Sequence, residues 1–111
     1  MINWNSFLSK FNVILTYDDF IVDNKKSLIE QIDNLKEDLL QIQIKENLLL
    51  DVGWYPSFNI NGEFQIKLIK NNNWDIPIKQ LHTNDINTLT EMLVEILNNP
   101  STASAARVQD V

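Results

Sequence analysis

Residues 48–68 read Leu-Leu-Leu-Asp-Val-Gly-Trp-Tyr-Pro-Ser-Phe-Asn-Ile-Asn-Gly-Glu-Phe-Gln-Ile-Lys-Leu, and this stretch decides the fold. Apolar residues recur at every second position in residues 48–52 and again in 64–68, a period typical of β-strands. Asn61-Gly62 lies between the two runs and is a strong tight-turn signal, because both residues tolerate positive φ. The stretch therefore predicts an antiparallel hairpin.

The chain after the hairpin predicts a further strand and a closing helix. Three asparagines at 71–73 indicate a second turn, and residues 74–81 indicate a third strand. Pro77 lacks an amide donor, so this strand is expected at a sheet edge or with an interruption. Thr83-Asn84-Asp85 supplies cap candidates for the last helix. The expected buried face of that helix consists of Ile86, Leu89, Met92, Leu93, Ile96 and Leu97.

The N-terminal half predicts two more helices. The first is an amphipathic helix of about ten residues, capped by Asn3 or Asn5, with apolar side chains three and four positions apart. Those side chains are Trp4, Phe7, Leu8 and Phe11. The second helix is predicted over residues 25–43, where apolar residues step by four and three. They are Leu28, Ile32, Leu35, Leu39 and Ile42. Residues 13–22 are compatible with a strand or a loop.

The predicted element order is α-α-β-β-β-α. This is an α+β fold with an antiparallel sheet of three strands, or slightly more, and helices packed on one face. The chain has 111 residues, of which 44% are hydrophobic, and this suits one globular domain at residues 1–100. All the alanines and the only arginine lie in residues 101–111. We expect a flexible tail there, either a foreign or late-acquired extension or a native C-terminus.

The acidic composition restricts the classes of partner. Nine basic and 15 acidic residues give a formal net charge of −6. Nucleic-acid binders neutralise phosphates with basic patches, so nucleic acid and anionic membranes are not expected partners. The sequence has no apolar run of membrane-spanning length and no secretory signal, and we expect a cytoplasmic protein. A basic protein is the partner class that this charge favours.

No pattern in the sequence predicts an enzyme, a cofactor or a metal site. Cysteine is absent, and two glycines are too few for a phosphate-binding loop. His82 is the only histidine, and it would need a nucleophile and an orienting acid to act as a general base. No serine lies in a recognisable nucleophile context. Asp18, Asp19 and Asp23 lack the glycine turn and terminal glutamate of a calcium loop, so a solvated acidic loop is the preferred interpretation.

Two groups of residues are candidates for binding a partner. The first is a negative surface, in which three carboxylates precede the predicted 25–43 helix and three follow its outer face. They are Asp18, Asp19, Asp23, Glu30, Asp33 and Glu37. The second group is aromatic, because tryptophan and tyrosine are favoured interface anchors. It comprises Trp54, Tyr55 and Trp74, of which at least one is expected to close the end of the core instead.

The sequence of residues 48–97 resembles small immunity proteins encoded beside bacterial polymorphic toxins, including those of contact-dependent growth inhibition. The resemblance rests on Asp51-Val52-Gly53-Trp54-Tyr55-Pro56, on Asn61-Gly62-Glu63-Phe64-Gln65-Ile66, and on Trp74-Asp75-Ile76-Pro77 leading into a final helix. It implies that the chain binds a cognate toxin domain and blocks it, with no catalysis of its own. Nuclease toxins tend to be basic, which fits an acidic inhibitor.

The sequence supports three functional hypotheses, of which the first is the most favoured and the third the least. The first is an immunity protein that neutralises a basic, nuclease-type toxin domain by stoichiometric binding, as a monomer or weak dimer. The second is an acidic secretion chaperone or adaptor that holds an extended segment of an effector. The third is a small enzyme in which His82 is essential. A stable homodimer would favour the second hypothesis over the first.

Overall fold

The predicted hairpin forms the centre of a five-stranded antiparallel sheet in the computed structural model, which describes residues 2–100. The strands are β1 (Ile14–Asp18), β2 (Leu40–Lys45), β3 (Leu48–Tyr55), β4 (Glu63–Lys70) and β5 (Lys79–Thr83). The helices are α1 (Trp4–Leu8) and α2 (Ile86–Asn98), with a 3₁₀ helix at Ile29–Asn34. The α+β class is confirmed, and the sheet has more strands than the three predicted.

The strands follow one another across the sheet in sequence order, so every neighbouring pair is antiparallel. On β3, Leu50, Val52 and Trp54 point to one side and join a single buried apolar cluster with residues of α1 and α2. We call this side the inner face. Asp51 and Gly53 belong to the opposite side, which we call the outer face, because side chains alternate along a strand.

The two helix starts predicted from cap residues are confirmed. Asp85 accepts a hydrogen bond from the Thr88 amide at 2.8 Å and caps α2. Asn3 accepts from the Ser6 amide at 3.1 Å and caps α1. These side chains satisfy amides that have no partner within the helix. Helix α1 ends at Leu8, before the predicted end.

The predicted helix over residues 25–43 is wrong. This segment contains the short 3₁₀ helix and then β2, whose Leu40 and Ile42 lie opposite Val52 and Leu50 of β3. Residues 39–44 read Leu-Leu-Gln-Ile-Gln-Ile, so a strand-like period of two overlaps the helical period. Pairing with β3 decides between the two periods, because it satisfies the backbone and buries both apolar side chains.

Two other boundaries differ from the prediction. Residues 13–22, which the sequence left undecided, contain β1. The third predicted strand begins at Lys79 and not at Trp74, so Pro77 lies in the preceding loop. A proline donates no ladder hydrogen bond, which explains the late start. Strand β5 is at the sheet edge, as Pro77 predicted.

The chain just before β2 lies alongside β3 and passes over Gly53. The Trp54 amide donates to the Lys36 carbonyl at 2.7 Å, and the Leu39 amide donates to the Val52 carbonyl at 3.1 Å. A Cβ atom on Gly53 would lie 1.8 Å from the Glu37 carbonyl oxygen. Only glycine therefore lets residues 36–39 lie directly on β3.

No helix within residues 2–100 has the length and apolarity needed to cross a membrane.

Candidate partner-binding surfaces

The six predicted acidic residues lie on the long connection between β1 and β2 and at its start, and not on one helix face. Three of them, Asp23, Glu30 and Asp33, line one groove of about 410 Å³. Ile21 and Lys26 also line this groove. The structure thus brings half of the predicted acidic surface together, although the predicted helix is absent.

Gln31 holds the walls of this groove in place. Its side chain is 8% exposed and accepts from the Asp23 amide at 2.7 Å. Its amide group donates to the Asp23 carbonyl at 2.8 Å and to the Lys26 carbonyl at 3.3 Å. A buried amide that uses both its donor and its acceptor ties the 23–27 loop to the 3₁₀ helix. A hydrogen bond from the Lys25 amide lowers the pKa of Asp23.

The other three acids have separate surroundings. Asp18 accepts from the Phe20 amide at 3.1 Å and ends β1. Asp19 is paired with the Lys36 ammonium group, and this hydrogen bond raises the pKa of Lys36. Glu37 lies where the chain crosses Gly53, on the outer face of the sheet. These three do not extend the groove.

Exposed apolar side chains lie at the same end of the sheet as the groove. The 19–39 connection and the β3–β4 loop both leave the sheet there, and the Phe58 amide donates to the Leu35 carbonyl at 2.7 Å. Phe58 is 57% exposed and has a φ of 61°, an uncommon conformation for a bulky residue. We call this region the acidic end. It comprises Asp23, Glu30, Asp33, Ile21, Ile29, Phe58 and Ile60.

The three aromatic candidates occupy different environments. Trp54 has no exposed surface and donates from Nε1 to the Asn59 carbonyl at 2.9 Å, so it belongs to the core and offers no side chain to a partner. Tyr55 is half-buried on the outer face. Trp74 is 45% exposed in the β4–β5 loop, at the end of the sheet opposite the acidic end.

A row of polar side chains crosses the outer face and was not predicted. In strand order the row contains Tyr17, Gln41, Asp51, Lys67 and Gln80, each opposite the next across the ladder. Asp51 is 5% exposed, and its Oδ1 accepts from Gln41 Nε2 at 3.0 Å. An aspartate inside the otherwise apolar run Leu48–Val52 is the sequence signal that could have identified this row.

The electrostatics of the outer face centre on Asp51. Burial raises the pKa of its carboxyl group, the Gln41 hydrogen bond and the Lys67 charge lower it, and the Asp38 charge raises it further. Lys67 Nζ lies 5.0 Å from the centroid of the Tyr55 ring, and no ion pair joins it to Asp51. Burial and nearby carboxylates raise the pKa of Tyr55. Asp51 is therefore a buried acid without a paired cation among residues 2–100.

The remaining candidates form no metal centre. His82 Nδ1 lies 3.1 Å from Glu63 Oε2 at an exposed position on β5. Within residues 2–100, no three histidine or acidic side chains have an arrangement that could hold a metal ion. Comparison of the chain with family models, with curated proteins and with solved structures finds no match.

Proposed function

We propose that this protein is an immunity protein that binds a cognate, basic toxin domain and neutralises it stoichiometrically. The observation that carries the proposal is the acidic end, where three carboxylates share a groove and four apolar side chains lie exposed at the same end of the sheet. Such a mixture suits a protein partner, since apolar contacts supply affinity and carboxylates select a basic surface.

Charge and geometry favour protein binding over catalysis. The formal net charge of −6 attracts basic surfaces over long distances and raises the association rate. Carboxylates at the acidic end could occupy the positions that a nuclease reserves for phosphates. Phe58 is strongly exposed and has an uncommon backbone conformation. An exposed aromatic ring held in this way has the features of an interface anchor. The resemblance of residues 48–97 to immunity proteins supports the same function.

The first experiment identifies and tests the partner. The tagged protein is used to capture partners from the source cells at low salt, and each recovered domain is expressed with and without this chain. We expect a basic domain that stops growth alone and is harmless when this chain is co-expressed at equal amounts. Recovery of an effector bound through an extended segment, with no toxicity to neutralise, would instead indicate the secretion chaperone or adaptor.

A charge-reversal pair then locates the interface. Glu30→Lys with Asp33→Lys changes two exposed carboxylates of the groove. We expect roughly tenfold or greater loss of affinity, mostly through slower association that depends on salt. The matched control is Glu91→Lys with Glu95→Lys, which makes the same change in net charge on the exposed side of α2. Equal effects of the two pairs would show that only the total charge matters and that the acidic end is not the interface.

A further inference from the structure

The outer face contains a cavity of about 250 Å³ that the acidic end does not use. It is lined by Tyr17 of β1, Asp38 and Leu39 before β2, Gln41 of β2 and Asp51 of β3. A cavity of this size has room for several water molecules and so for the head group of one side chain. Its lining is polar on the sheet side and aromatic at the edge strand.

The deepest polar group of this cavity lacks a full set of partners. Asp51 Oδ1 accepts from Gln41, whereas nothing in residues 2–100 donates to Oδ2, which is not fully buried. Lys67 is the next residue along the row, but its ammonium group stands over the Tyr55 ring and forms no ion pair with the carboxylate. The Lys67 charge acts on Asp51 only from a distance, and burying a carboxylate without a contacting cation costs free energy. A cation from outside that donates to Oδ2 would offset that cost.

The chemistry of the lining selects a particular cation. Asp38 provides a second, exposed carboxylate at the same cavity, and Tyr17 provides an aromatic ring that is 41% exposed. A guanidinium group donates in several directions from one plane and stacks on aromatic rings, whereas an ammonium group is a compact, strongly hydrated charge. Two carboxylates and a ring at one cavity therefore suit arginine better than lysine.

We propose that this cavity receives a single arginine side chain of the partner protein, with its guanidinium group between Asp51 and Asp38 and against the Tyr17 ring. The identity of the partner rests on the proposed function, whereas the presence of the arginine site does not. The cavity lies on the outer face of the sheet, and the groove lies beyond the end of the sheet.

The test uses small probes on the full chain. N-acetyl-arginine methylamide is titrated into the ¹⁵N-labelled protein, and the neutral citrulline analogue and the lysine counterpart are titrated in parallel. We expect saturable shifts at the amides of residues 38–41 and 51 with the arginine probe, weaker shifts with the lysine probe, and none with citrulline. Asp51→Asn, which can still accept from Gln41, should weaken arginine binding by roughly tenfold or more. Asp75→Asn, an exposed control of equal charge change, should leave it unaltered.

Two results would overturn the arginine site. One is the absence of localised shifts with the arginine probe, and the other is equal binding of the arginine and citrulline probes. If either occurs while the protein still neutralises a toxin, the site is wrong and the proposed function stands. If the arginine probe binds at the cavity but no toxin is neutralised, the site stands and the assigned partner is wrong.

Discussion

The inner and outer faces of the sheet come from the same strands yet carry different chemistry. The inner face of β3 presents Leu50, Val52 and Trp54, all without exposed surface. The outer face of the same strand presents Asp51, Gly53 and Tyr55. Burial extends to both faces, but only the outer face buries a carboxylate. On β3 the inner face is thus apolar, whereas the outer face includes a carboxylate whose burial costs free energy.

The largest expected effect on stability distinguishes Trp54 from Trp74, both of which the sequence predicts as candidate interface anchors. Trp54→Ala removes a fully buried ring and the hydrogen bond to Asn59, and should lower the free energy of unfolding by about 3–5 kcal/mol. Trp74→Ala, at the exposed loop, should change it by about 0.5 kcal/mol or less. Urea denaturation measures both variants. Similar losses would mean that Trp74 also belongs to the folding core.

The next effect concerns Gly53, where the backbone of residue 37 lies against the outer face of β3. Gly53→Ala would bring a methyl group into the Glu37 carbonyl and push residues 36–39 off the strand, at a cost of about 3 kcal/mol. Gln65→Ala, at the position opposite Gly53 on β4, is the control and should cost about 0.5 kcal/mol or less. Thermal unfolding of both variants checks the comparison. A stable Gly53→Ala protein would contradict the close approach of the two backbones.

The smallest effect is the pH dependence of stability that Asp51 contributes on the outer face. Burial raises the pKa of Asp51, so the folded protein holds this proton more tightly than the unfolded chain. The contribution of Asp51 to the free energy of unfolding is fully present below the pKa of the unfolded chain, about 3.9. It is lost as the pH rises through the pKa of Asp51 in the folded protein. Lys67 opposes this shift and Asp38 reinforces it, while burial raises the pKa of the neighbouring Tyr55 further above this range.

Asp51→Asn has no carboxyl group to ionise at this position, so it does not lose stability as the pH rises. Its free energy of unfolding should therefore increase relative to that of the parent protein as the pH rises from about 4 to 7. Denaturation at a series of pH values measures the difference, and Asp75→Asn provides the control for a change of surface charge. A difference that stays constant with pH, or that has the opposite slope, would show that Asp51 is not held in an unfavourable charged state.

The acidic residues show which spatial neighbours a helical period in the sequence can predict. Glu30 and Asp33 were placed together by a helical period, and they do share a groove, although they lie on a 3₁₀ helix with different geometry. The same period groups Glu37 with them, but Glu37 lies at Gly53, because the chain leaves the 3₁₀ helix and then lies alongside β3. Residues close in sequence stay close in space in many structures, but the direction of their side chains depends on the actual turn.

The sequence by itself determined the features that depend on neighbouring residues. The β3–β4 hairpin, the α2 helix and the caps at Asn3 and Asp85 follow from alternation, period and hydrogen-bonding side chains within a few positions. Tertiary structure decided the rest. Residues 40–45 are a strand because β3 offers them a partner, and Trp54 is buried because its β-strand neighbour Phe64 lies across from it. The cavity at Asp51 exists because three strands and a crossing segment meet there, and only long-range pairing brings such residues together.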